Sequence, residues 1–87
     1  MQTIYLDGNL YDSKAALYAA LGRMLDLPDY FGMNADALND CLSERREPVS
    51  LWVASRGQGD VADQIKTVID VFEENGSSVR ETEEQKG

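Results

Sequence analysis

The strand-like segments of this 87-residue chain lie too far apart to be joined by hairpins. Residues 2 to 6, QTIYL, are β-branched and aromatic in the middle and stop at the turn pair Asp7-Gly8. Residues 49 to 54, VSLWVA, are apolar almost throughout and follow Pro48. Residues 77 to 82, SSVRET, are a weaker candidate in which only Val79 is apolar. A parallel crossover takes a dozen residues or more and is most often helical, whereas antiparallel neighbours need only a tight turn. Residues 7 to 48 and 55 to 76 both clear that length, and both carry helical patterns. The predicted fold class is therefore α/β: a three-stranded parallel sheet with helices packed on it. The apolar run at 49 to 54 predicts a central strand covered on both faces.

Three helices fill the connections. Asp12 or Ser13 can cap the first, whose apolar Leu17, Ala20, Leu21, Met24 and Leu25 share one face. Pro28 disfavours the α region at Leu27 and so ends it near Leu25 or Asp26. Asn34 is a good cap for a second helix running to about Ser43. Asp60 is the expected cap of the third, which places Val61, Ile65, Val68, Ile69 and Phe72 on one face and stops at Asn75-Gly76. A single domain over residues 1–82 follows, with 83–87 a polar, charged tail expected to be disordered.

Composition narrows the chemistry. Without histidine the chain lacks the commonest general base and metal ligand, and one cysteine, Cys41, builds neither a disulfide nor a zinc site. No cofactor and no metal are expected. The start, MQTIYLDG, does not read as a signal peptide, and no stretch approaches 18 apolar residues, so the expected location is cytoplasmic. A net charge of −8 repels nucleic acid and anionic lipid and attracts basic proteins. The expected partners thus include no nucleic acid and no membrane.

The second helix concentrates that charge. At about 100° per residue, Asp40 lies about 40° and Glu44 about 80° from Asp36, while Ala35, Leu38, Cys41 and Leu42 fall on the opposite side. An outward row of carboxylates is the ordinary solvated face of an amphipathic helix. Two adjacent aromatics just before it, Tyr30 and Phe31, either seal the core or place an interface anchor beside the carboxylates.

Residues 27 to 42, LPDYFGMNADALNDCL, resemble the signature of the barstar family, intracellular inhibitors of the ribonuclease barnase. The resemblance is carried by Leu27, Pro28, Asp29, Tyr30, Phe31, Gly32, Asn34, Asp36, Ala37, Leu38, Asp40, Cys41 and Leu42. It implies a barstar-like single domain that is an inhibitor and not an enzyme. Asp40 would be the central plug of a cationic active site, Asp36 its neighbour, and Tyr30 and Asn34 would pack and hydrogen-bond beside them. Glu74 would lie at the periphery, and Glu44 extends the acidic face. A carboxylate there takes the place of an RNA phosphate by accepting charge-assisted hydrogen bonds. The implied partner is a basic extracellular or toxin-type ribonuclease, barnase-like or guanyl-specific, in a 1:1 complex.

The chain departs from the family at three points. Asn39 stands where the family carries a tryptophan, residues 55 to 59 are too short for a small extra helix, and the last strand is more polar. A diverged acidic module that binds another basic protein without inhibiting a ribonuclease is the alternative. A magnesium site on Asp36 and Asp40 is a distant third, since an i,i+4 pair without a phosphate cradle is weak evidence.

Overall fold

The computed structural model describes residues 2–27, 34–45, 47 and 49–81. Strand β1 (Gln2–Asp7) leads through a 3-10 turn (Gly8–Leu10) to helix α1 (Lys14–Met24) and helix α2 (Ala35–Ser43). Strand β2 (Val49–Ser55), helix α3 (Gly59–Glu74) and strand β3 (Val79–Glu81) complete the order. The sheet runs β1-β2-β3 with both pairings parallel, as the connection lengths predict. Between β2 and α3 the chain passes through Arg56, Gly57 and Gln58 without a further helix.

Among the described residues, the sheet is covered on one face, not two. Ile4 and Leu6, Val49, Leu51 and Val53 are buried against the helices. On the other face Tyr5, Trp52 and Arg80 stand side by side in register, with Tyr5 64% exposed. The Tyr5 and Trp52 rings lie 5.9 Å apart, and the Arg80 guanidinium sits 5.3 Å over the Trp52 ring. Topology is the reason. Crossovers of the same hand that step the same way across a sheet fall on the same face, and only a reversal of strand order would put helices on both. The apolar run therefore resolves into an alternating strand, with Trp52 half-buried beneath Arg80 rather than within the core.

Caps fix the helix ends. The Ser13 hydroxyl accepts from the Ala16 amide at 3.1 Å, and the Asn34 side-chain Oδ1 from the Ala37 amide at 2.8 Å. Asp60 is not the cap of α3. Gln58 takes that place without a side-chain hydrogen bond, and Asp60 lies two residues further on, in the first turn, where its charge meets the helix dipole. Asp26 ends α1 in the left-handed region at φ 57°, with the Leu27 amide donating to the Gly22 carbonyl at 2.8 Å. Pro28, the expected stop, lies outside the described residues. Gly76, at φ 81°, closes α3 as its Asn-Gly pair predicts.

Leu17, Leu21, Leu38, Leu51, Ile65, Val68 and Phe72 are fully enclosed between sheet and helices. Tyr18, absent from the expected core face, is equally buried, and its hydroxyl donates to Gln64 Oε1 at 2.9 Å. That single bond removes the usual penalty for enclosing a phenol. Strand β3 is shorter than its candidate segment. The Leu51 amide donates to the Ser78 carbonyl at 2.8 Å, and Arg56 forks onto both carboxylate oxygens of Glu81. The tail at 82–87 lies outside the described residues.

Candidate protein-binding surface

Helix α2 is held from within by Leu38 and Leu42, both buried, and its carboxylates line the opposite side. Asp36, Asp40 and Glu44 are exposed, as the angular count along the helix predicts, and Asn39 and Ser43 are exposed beside them. Among the described residues none of Asp36, Asp40 and Glu44 forms an ion pair. Asp36, in the first turn, gains from the helix dipole. Asp40 and Glu44 lie toward the C-terminal end, with no basic residue in the last turn to offset them. Like charges four residues apart cost a helix a few tenths of a kcal/mol. The row is thus held against a small local cost.

Two tethers outside the stripe hold α2 in place, and neither is a pattern that periodicity detects. Arg45, two residues past the helix, donates from Nη1 to the Leu25 carbonyl at 3.0 Å and from Nη2 to Gln2 Oε1 at 2.9 Å. Gln2 in turn donates to the Met24 carbonyl at 2.8 Å, so β1 and the ends of α1 and α2 are tied at one corner. On the other flank Asn75, at the end of α3, donates from Nδ2 to Asn39 Oδ1 at 2.6 Å and to the Val71 carbonyl at 2.9 Å. Asn75 reads in the sequence only as a helix stop. Its side-chain role depends on the approach of α3 to α2, which no local signal reports.

Asn39 and Glu74 are thereby brought to neighbouring parts of one surface, Glu74 being the last residue of α3 and exposed. Asn34 caps α2 and is exposed. Tyr30, with Phe31, lies outside the described residues. Cys41, expected on the inner side, is only half-buried at its edge. Burial raises its thiol pKa, and the Glu44 and Asp40 carboxylates push the same way, so the thiol stays protonated at neutral pH. Among the described residues, no group of three carboxylate, thiol or imidazole side chains is placed to hold a metal ion, and no helix is long and apolar enough to cross a membrane.

Fold and surface together define a small α/β domain of net charge −8 that exposes a row of carboxylates along one helix. The family model described as Barstar (barnase inhibitor) matches residues 1–86, and the chain belongs to the barstar family, a family of inhibitors rather than enzymes. A Bacillus subtilis (strain 168) protein named "Putative ribonuclease inhibitor YrdF" is 44% identical over 43 residues. That match takes in 49% of this chain and 47% of the relative, so the chain spans about half the length of the curated relative it matches.

Proposed function

We propose that this chain inhibits a basic ribonuclease, extracellular or toxin-type, in a 1:1 complex by seating α2 in the enzyme's cationic active site. The observation that carries this reading is the row Asp36, Asp40 and Glu44, exposed, unpaired among the described residues, and mounted on a helix fixed at both flanks. A ribonuclease site must attract phosphate, and a carboxylate on a helix whose backbone is already fixed accepts the same donors at a reduced ordering cost. Asp40, central in the row, is the plug, and Asp36 contacts the adjacent cationic groups. Asn34 borders them on the N-terminal side and Glu74 lies at the rim, and Tyr30 joins the contact by its match to the family signature. A single cysteine, which can form no internal disulfide, suits a reducing compartment, and a cytoplasmic location belongs to the same reading.

Titration of barnase, and of a panel of basic guanyl-specific microbial ribonucleases, with the purified chain tests the proposal. The expected result is stoichiometric loss of RNA cleavage for at least one enzyme, with Asp40→Asn shifting the titration by tenfold or more. An unchanged titration with Asp40→Asn would overturn the plug. Binding to a basic protein other than a ribonuclease is favoured by one feature, the polar Asn39 on the recognition face, and capture without inhibition would establish it.

A further inference from the structure

The recognition face is not uniformly an acceptor surface. Asp36, Asp40 and Glu44 offer only oxygen acceptors when ionised. Asn39 lies on the same exposed side of α2, on the flank toward α3, and its amide has a fixed orientation. The Val71 carbonyl accepts from the Asn75 side chain, so the atom of Asn75 that faces it must be the NH2 group. That same NH2 group reaches Asn39 at 2.6 Å, so the atom of Asn39 turned inward must be its oxygen. The atom left outward is Asn39 Nδ2, from which no described residue accepts. A backbone carbonyl of α3 thus sets the polarity of a side chain on α2.

We propose that Asn39 and Asn75 together determine partner specificity: Asn75 locks Asn39 so that it presents a hydrogen-bond donor beside Asp40, and the ribonuclease places a backbone carbonyl or carboxylate oxygen opposite it. The proposal rests on the ribonuclease-inhibitor reading. It predicts a partner surface that is cationic where it meets Asp36 and Asp40 but carries an acceptor next to them. A partner with donors throughout would leave Nδ2 buried and unpaired, and a site built to pair such a group discriminates strongly against analogues that cannot.

Asn39→Asp separates this arrangement from simple charge attraction. The substitution keeps shape and still accepts from Asn75, but turns the outward donor into a charged acceptor. Charge attraction alone predicts faster association and tighter binding to a basic enzyme. The proposal predicts binding weakened tenfold or more through faster dissociation. Kinetics are measured with barnase or whichever ribonuclease of the panel the parent chain inhibits. Asn39→Ala should weaken binding about fivefold, and Asn75→Ala should do so by less. The double variant should match Asn39→Ala alone, because Asn75 acts only through Asn39. Urea midpoints confirm that each variant is folded. In the free protein, proton NMR should show slow exchange of both Asn75 side-chain amide protons, and Asn39→Ala should speed exchange of the one not bonded to the Val71 carbonyl. Binding by Asn39→Asp as tight as the parent or tighter overturns the donor assignment and leaves the inhibitor reading standing. Additive losses in the double variant, or a rapidly exchanging Asn75 amide, overturn the locking. A parent chain that inhibits none of the ribonucleases removes the reading and the proposal with it.

Discussion

Asp40 and Leu38 sit two residues apart on α2 and should fail in opposite ways. Asp40 is exposed and its side chain makes no ion pair among the described residues, so Asp40→Ala removes a repulsion with Asp36 and leaves stability unchanged or slightly raised. In the complex the same change strands buried cationic groups of the partner, and inhibition should fall by at least tenfold. Leu38 is 0% exposed in the core cluster. Leu38→Ala should cost about 2–5 kcal/mol through the cavity it leaves. Paired urea midpoints and inhibition titrations read both, and an Asp40→Ala chain that unfolds more readily would show that the carboxylate is structural. Gly8 is a third sensitive position. A Cβ there would collide with the Arg56 carbonyl, and Gly57, at φ 75°, presses back from the facing loop. Gly8→Ala should lower stability by about 1–3 kcal/mol, the usual penalty of forced overpacking, as read by the urea midpoint.

Strand β3 is only three residues long, and its attachment is partly ionic. Glu81 accepts two hydrogen bonds from Arg56, which hold its carboxyl below the usual value of about 4.3 although partial burial works the other way. A depressed folded pKa stabilises the fold above the unfolded value, and that contribution is lost as pH falls through the folded pKa. β3 should therefore loosen as pH drops below about 4 and stay unaffected between 6 and 8. The contribution is under about 1 kcal/mol for so exposed a pair, so the expected result is local fraying without global unfolding. Trp52, the only tryptophan, reports it directly because Arg80 of β3 stacks on its ring. Acid titration of its fluorescence should show a step below pH 4 in the parent. In Glu81→Gln the signal should already be altered at pH 6, with that step missing. Identical titrations in the two chains would exclude the Arg56–Glu81 clamp as the cause.

Across the whole molecule the net charge of −8 and the carboxylate row act over longer distances than any contact. Attraction of a basic enzyme to this surface should speed encounter, and at physiological salt the Debye length of about 8 Å screens most of it. Stopped-flow mixing with an inhibited ribonuclease should give an association rate that falls at least several-fold between about 10 and 150 mM salt, a change in Debye length from about 30 to 8 Å. Dissociation should change much less, being governed by desolvated contacts. An association rate independent of salt would place the interface away from α2.

The sequence by itself determined what depends on spacing along the chain. Long connections between strand-like runs sufficed for a parallel α/β sheet, angular spacing separated Leu38 and Leu42 from Asp36 and Asp40, and the Asn34 cap and Gly76 stop were legible as local chemistry. What the tertiary structure alone decided depends on which elements meet. The run 49–54 is the same whether one or both faces of its strand are covered, and strand order with crossover handedness put all the helices on one side. The helical period left Tyr18 outside the inner stripe, and its burial required a hydroxyl acceptor, Gln64, 46 residues away. Asn75 and Arg45 became the tethers of α2 because hydrogen bonds select for geometry in space, whereas the residue pattern along a chain reports only which side of an element is apolar.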